Sequence, residues 1–167
     1  NLAQIGDHAF YHCNSLTDVN IPISVSYIGD YAFAECRYLY QVEMCNPEVE
    51  NGTSASSLKE MGWNVFENCE HLTKITLGNG LTAIPNYAFN KCYDLEEIVV
   101  PYKVESIGKG AFNECASLTK ITIPSATKSI ASDAFSYPGS ITIYGKAGSY
   151  AETYAKENDI TFVAQDE

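Results

Sequence analysis

The sequence predicts a solenoid of stacked coils, and three features carry that expectation. Apolar residues recur in five columns at one fixed period, each unit closes on a short alternating run, and the period stops at a C-terminal helix-forming segment. Phenylalanine sets the register: Phe10, Phe33, Phe66, Phe89, Phe112 and Phe135 are separated by 23, 33, 23, 23 and 23 residues. Alanine precedes each of them except Phe66, which follows Val65. Ile5, Ile28, Met61, Ile84, Ile107 and Ile130 stand five residues before the phenylalanines. Cys13, Cys36, Cys69, Cys92 and Cys115 stand three after them, with Pro138 in the last copy. Leu16, Leu39, Leu72, Leu95 and Leu118 complete the frame.

A period in the twenties with one short strand per unit falls in the leucine-rich class of repeats. Side chains alternate faces along a strand, so Val19 and Ile21 are expected to point inward and Asp18 and Asn20 outward. One coil cannot bury its inward set alone; stacked in register, neighbouring strands share a parallel ladder and the frame residues form continuous columns. Burying one such side chain stabilises by roughly 1.5–3 kcal/mol. Pro22, Pro101 and Pro124 stop the strands, because proline has no N–H for the ladder.

The cleanest copy, Ile107 to Pro124, reads IGKGAFNECASLTKITIP. It resembles the BspA-like leucine-rich repeats of bacterial cell-surface proteins, whose pattern is close to I-G-x-x-A-F-x-x-C-x-x-L-x-x-I-x-I-P, and the resemblance covers essentially the whole chain. It implies a leucine-rich repeat solenoid of the repeat α/β type, mostly β and irregular coils with a parallel β-sheet face and a C-terminal helix-strand cap. It also implies a secreted or bacterial cell-surface location. Members are mostly described as surface adhesins or host-protein binders, so the implied partner is a host-matrix or neighbouring-cell surface protein. Fold alone does not name the ligand.

The chain reads as one domain: residues 1–146 form about six 23-residue coils with an insertion within 45–60, and 147–167 form the cap. It begins mid-repeat at Asn1, which suggests a mature or trimmed fragment of something longer. A formal charge of −11 argues against nucleic acid or an anionic membrane as partner. No apolar run reaches the roughly 18 residues of a membrane span. Stacked cysteines with near-parallel Cα–Cβ vectors keep their Cβ atoms near the strand spacing of about 4.8 Å. A disulfide prefers about 3.8 Å, so six free thiols are expected, with the five column members pointing inward as small hydrophobes. Cys45 stands where other units carry proline, as either a half-buried loop cysteine or a reactive thiol.

In chain order, the first coil, Ile5 to Tyr27, is expected to expose one end of its core unless residues ahead of Asn1 cover it. His8 and His12 are four apart beside Cys13, but their columns hold Tyr31, Asn64 and Tyr87, and Glu35, Asn68 and Lys91. That mixture reads as variable, exposed positions rather than a metal pair. The second coil carries ten extra residues within Cys45 to Glu60, expected to loop out beside the strand and to offer Glu48, Glu50 and Asn51 as contacts. A tolerated, functionless loop is the alternative. Asn51-Gly52-Thr53 matches a glycosylation sequon, which the bacterial resemblance implies stays bare. Coils three to five start at Met61, Ile84 and Ile107. Trp63, the only tryptophan, occupies a column of Asp7, Asp30, Asn86 and Lys109, and reads as a lid on the insertion or a contact residue, the lid being favoured. The sixth coil starts at Ile130, loses three residues and brings its strand Ile141–Tyr144 early. Ser149-Tyr150-Ala151-Glu152 reads as a capping box opening a helix to about Glu157, with an edge strand at Ile160–Val163.

The outward strand positions are the best candidate for function, since stacked repeats create an extended surface. One column is Asp18, Gln41, Lys74, Glu97 and Lys120; the other is Asn20, Glu43, Thr76, Val99 and Thr122, of which all but Val99 are taken as candidate contacts. Glu97 is placed between Lys74 and Lys120, where it can pair across strands. There is no nucleophile elbow, H-E-x-x-H or phosphate-binding glycine loop, and no carboxylate pair is singled out. The sequence therefore points to a protein-binding or adhesion module, without catalytic residues, metal ligands or cofactor. A structural spacer is the second reading. A carbohydrate-binding sheet ranks third, because Thr73, Glu96 and Thr119 separate Tyr40 from Tyr144 and leave no aromatic platform.

Overall fold

The computed structural model describes residues 2–44, 56–136 and 140–166. Each coil contributes to two ladders. The outward-facing columns lie on strands β2 (Asp18–Asn20), β4 (Gln41–Glu43), β6 (Lys74–Thr76), β8 (Glu97–Val99) and β10 (Lys120–Thr122). That face is completed by β12 (Thr142–Gly145) and β13 (Thr161–Ala164). The second ladder, absent from the sequence reading of one strand per unit, consists of two-residue strands at the isoleucine column. These are β1 (Gln4–Ile5), β3 (Tyr27–Ile28), β5 (Glu60–Met61), β7 (Ala83–Ile84), β9 (Ser106–Ile107) and β11 (Ser129–Ile130). Two residues give only one inward and one outward side chain, too few for an alternation to register in sequence. All pairing is parallel and offset by one repeat, as in Lys120↔Glu97 and Gln41↔Lys74.

Between the ladders, each coil turns around its phenylalanine. The residues two before and two after that ring adopt left-handed backbone, with φ between 55° and 62° at His8, His12, Tyr31, Glu35, Asn64, Asn68, Tyr87, Lys91 and Glu114, and 56° at Gly110. Left-handed backbone costs a non-glycine residue roughly 1–2 kcal/mol. The return is direction: alternate N–H groups point along the solenoid axis. Tyr31 N donates to Trp63 O (2.9 Å), Phe33 N to Val65 O (2.9 Å) and Glu35 N to Glu67 O (2.8 Å). The histidine columns are thus set by backbone, and the expected exposure holds for His8 and His12 but not for Asn64, which is buried. Glycine has its own place here. A Cβ on Gly29 would lie 2.5 Å from Asp7 N, so the coils touch backbone to backbone.

The core is the set of columns. Phe33, Phe66, Phe89 and Phe112 are all at most 1% exposed. Each is stacked on its neighbours at centroid distances of 5.4–5.6 Å within that series, nearly coplanar. The cysteine column lies beside them. Cys36, Cys69, Cys92 and Cys115 are buried free thiols, each donating Sγ–H to the phenylalanine carbonyl of the preceding coil at 3.0–3.2 Å. Cys13 is free but exposed, unlike its expected inward place, because among the described residues no coil stacks on that side to supply the matching carbonyl. Phe10 is likewise 40% exposed. Cys45, Pro138 and the sequon lie outside the described residues.

Both ladders break at one junction. The first face divides into β2-β4-β6 and β8-β10-β12-β13, and the second into β1-β3-β5 and β7-β9-β11. Pro85 supplies a cause. It stands in the column of Gly29, Gly62, Gly108 and Ala131, whose N–H groups donate to the preceding isoleucine carbonyl at 2.9, 2.7, 2.8 and 3.0 Å. Proline has no N–H to give. The turn edge stays closed, with Phe66 N on Ala88 O at 2.9 Å and Asn68 N on Asn90 O at 2.9 Å. β6 and β8 contain nothing that forbids pairing; their gap accompanies the one at Pro85.

The cap is a helix, α1 (Tyr150–Glu157), laid over the last coil, burying Ala151, Tyr154 and Ala155. β13 pairs with β12, Thr142 opposite Thr161, which closes that end. The expected capping box does not form. Glu152 Oε2 accepts from Gly148 N at 2.6 Å, one residue before the cap, Ser149 N donates to Lys146 O, and Ser149 Oγ makes no capping bond and is buried without a partner. Lys156 first, and then the Gly148 N–H, hold the Glu152 carboxyl below its usual value.

Two outcomes follow for the core. Phe112→Ala is expected to lower stability by about 3–5 kcal/mol in denaturant titration; a loss below about 1 kcal/mol would remove Phe112 from the packed column. Burial raises the Cys36 thiol to about 11 and Cys115 to about 12, from an ordinary 9.0. A neutral buried thiol stabilises fully below pH 9.0, and that contribution is lost as pH rises toward about 11 and 12. Alkylation of native protein near about pH 8 should therefore modify Cys13 and spare Cys36, Cys69, Cys92 and Cys115 until denaturant is added. Rapid native-state modification of those four would contradict their burial.

Candidate functional site

All nine sheet residues singled out in the sequence lie on one side of the solenoid, placed there by the two-residue period of their strands. They are in register: Asp18 opposite Gln41 and Gln41 opposite Lys74, Asn20 opposite Glu43 and Glu43 opposite Thr76, Lys120 opposite Glu97. The junction at Pro85 divides them into two patches. Asp18, Asn20, Gln41, Glu43, Lys74 and Thr76 occupy β2, β4 and β6, whereas Glu97, Lys120 and Thr122 occupy β8 and β10.

The expected pairing within the charge column is met on one side of that division. Glu97 pairs with Lys120 at 3.2 Å, and Lys120 Nζ also lies over the Tyr144 ring at 5.5 Å from its centroid. No ion pair joins Glu97 to Lys74 among the described residues, because the strands that would bring them together are unpaired. Exposed pairs of this kind contribute little to stability, about 0–1 kcal/mol. Gln41 Nε2 donates to Glu43 Oε1 at 2.7 Å and orders the first patch.

Between the patches lies a groove of about 340 Å³. Lys74 and Thr76 form one wall, Glu97 and Val99 the other, and Ile75 and Ile98 the floor. Val99 is 65% exposed, an apolar side chain in a column that elsewhere holds Asn20, Glu43, Thr76 and Thr122. The sequence reading placed Val99 in the outward column without counting it as a contact, and missed the groove. The available signals were Pro85 in a glycine column and a valine in a polar one. The groove offers a cation, a carboxylate, a hydroxyl and an apolar edge, which suits peptide or protein contact rather than bond-making chemistry.

The remaining candidates separate from this face. Glu48, Glu50 and Asn51 lie outside the described residues. Trp63 is 58% exposed on the turn edge; most of the insertion that it is expected to cover lies outside the described residues. His8 stacks on Tyr31 at 5.1 Å rather than facing His12 across a ligand. Tyr40 is 44% exposed and its ring lies 5.9 Å from His71. Among the described residues, no group of three or more His, Cys, Asp or Glu side chains could hold a metal, and no helix is long and apolar enough to cross a membrane.

The pattern of a BspA type leucine rich repeat region matches residues 3–142, in six copies. Among solved structures, a leucine rich cell surface protein from Faecalibacterium prausnitzii is similar, at 30% identity and a TM-score of 0.70, over 83% of this chain and 34% of that one. The leucine rich repeat protein of T. pallidum aligns at 23% identity and a TM-score of 0.67, over 97% of this chain and 79% of that one. The pneumococcal vaccine antigen PcpA aligns at 19% identity and a TM-score of 0.65, over 90% and 42%. These last two likenesses concern the fold alone. The chain spans about a third of the length of the F. prausnitzii protein. No curated protein matches it.

Proposed function

The chain belongs to the BspA-type leucine-rich repeat family, and from that premise we propose that it is a non-catalytic protein-binding module of a bacterial surface protein, adhesive in role. Its contact surface is the sheet face, centred on the groove between β6 and β8, with a host-matrix or neighbouring-cell surface protein as partner. The observation that carries this reading is the groove itself, where unpaired strands, the exposed Val99 and the charged walls of Lys74 and Glu97 meet on the sheet face. Protein contacts concentrate where an apolar anchor is ringed by polar groups. The insertion follows β4 in the chain, and Glu48, Glu50 and Asn51 within it are further contacts on this reading. A location outside the cytoplasm is supported by the F. prausnitzii cell surface protein, which is 30% identical.

The test is binding of the purified chain to immobilised extracellular-matrix proteins and mucin, compared with a Lys74→Glu, Val99→Asp variant. Both positions are exposed, so the fold should be unaffected. Saturable binding weakened at least about tenfold in the variant, or roughly 1.4 kcal/mol, is the expected result. Binding unchanged in the variant would remove the groove from the contact. Absence of saturable binding on every surface would favour the spacer role.

A further inference from the structure

A notch lies on the turn edge of the solenoid, apart from the sheet face. Asn64, 8% exposed, forms its floor in the left-handed column between Tyr31 and Tyr87. Coils repeat at about 4.8 Å, so the two tyrosines flank a gap of roughly 10 Å that the short Asn64 side chain does not fill. Both rings have a resting place away from the gap. Tyr31 stacks on His8, centroids 5.1 Å apart at 13°. Tyr87 covers Gly110, where a Cβ would collide with its ring. Trp63 adds a third aromatic wall, 58% exposed, to a cleft of about 370 Å³. Polar groups beneath are held in order: Asn64 Nδ2 donates to Glu67 Oε2 (2.9 Å), Asn90 Nδ2 to Glu67 Oε1 (2.8 Å), and Asn113 Nδ2 to Asn90 Oδ1 (2.9 Å).

Trp63 interrupts a bonding series that serves stability. Asp7 Oδ1 accepts from Asp30 N (2.9 Å), Asp30 Oδ1 from Trp63 N (2.6 Å) and Asn86 Oδ1 from Lys109 N (2.8 Å). An indole has no acceptor to offer the next coil. A residue that gives up a stacking bond and leaves its ring in solvent breaks the local rule, as functional positions do.

We propose that this notch is a carbohydrate site that takes a neutral pyranose residue. The C–H face of such a sugar packs on aromatic rings, and its hydroxyls need donors and acceptors fixed side by side, which amides and a carboxylate supply. The cleft volume lies at the lower end of the roughly 300–1,000 Å³ common for ligand sites. No Lys or Arg lines it, Glu67 stands in it, and the chain carries a net charge of −11, so acidic sugars are disfavoured. The site is independent of the sheet-face groove, and neither needs the other to be occupied.

Trp63 is the only tryptophan, so its emission reports on the notch directly. The chain would be titrated with lactose, N-acetyllactosamine, maltotriose and mannotriose, with sialyllactose as the acidic probe. A saturable change at up to millimolar concentrations for at least one neutral sugar, and none for sialyllactose, is expected. Asn64→Tyr should fill the notch and weaken binding at least about tenfold, without unfolding the chain, because the same column already carries Tyr31 and Tyr87 at equal φ. Trp63→Asn, followed by calorimetry, should lose binding at equal or higher thermal stability, since asparagine restores the acceptor. The proposal is overturned if no neutral sugar perturbs the emission or if sialyllactose binds as well as the neutral sugars. Neutral-sugar binding that survives in folded Asn64→Tyr or Trp63→Asn protein overturns it equally.

Discussion

The backbone hydrogen bond from one coil to the next is the interaction on which the rest of the structure depends. It requires the chain to turn around the phenylalanine of each of the first five coils through two left-handed residues, so that alternate N–H groups face along the axis. Residues as unlike as His12, Glu35, Asn68, Lys91 and Glu114 accept that conformation. Side-chain identity there is free because the backbone geometry is not. Once the coils are at bonding distance, the phenylalanine rings stack, the buried thiols reach the carbonyls below, and Gly29 has no room for a Cβ. The columns and the ladder therefore stabilise each other, which is how repeats that cannot fold singly become a domain.

The same dependence explains where the surface becomes uneven. A uniform ladder would present a regular polar sheet with its charges paired across strands. Pro85 withholds one donor, both sheets divide at that junction, and the outward columns part around a groove with Val99 on its rim. On the turn edge, where the ladder is intact, unevenness comes from side-chain length: Asn64 between two tyrosines, and Trp63 in a column of small acceptors. Both candidate sites are local departures from the repeat, carried by a scaffold that holds them in place.

The fold was largely legible in the sequence because its cause is periodic. Phe112 and Leu118 sit in the core, as their columns require, and Lys120 and Thr122 face outward, as alternation requires. The helix at Tyr150–Glu157 followed from its local signals, although Ser149 does not cap it. Three features were not legible. Two-residue strands such as Tyr27–Ile28 are shorter than any pattern. Left-handed backbone leaves no signature when histidine, tyrosine and lysine all adopt it. The groove depends on a missing hydrogen bond, which a list of outward residues cannot reveal, and so Val99 was placed in its column but not singled out as a contact. Cys13 shows the limit of column logic, since a frame residue is buried only where a neighbouring coil covers it.

Amide hydrogen exchange tests the dependence most directly. Leu77, Thr82 and Glu96 stand at the junction, at positions whose counterparts Val100, Glu105 and Thr119 donate across coils at 2.9, 2.8 and 3.0 Å. The expected result is fast exchange at Leu77, Thr82 and Glu96 against slow exchange at Val100, Glu105 and Thr119, with Pro85→Gly slowing Thr82. Equal protection on both sides of the junction, unchanged by that substitution, would contradict a seam opened by the missing donor.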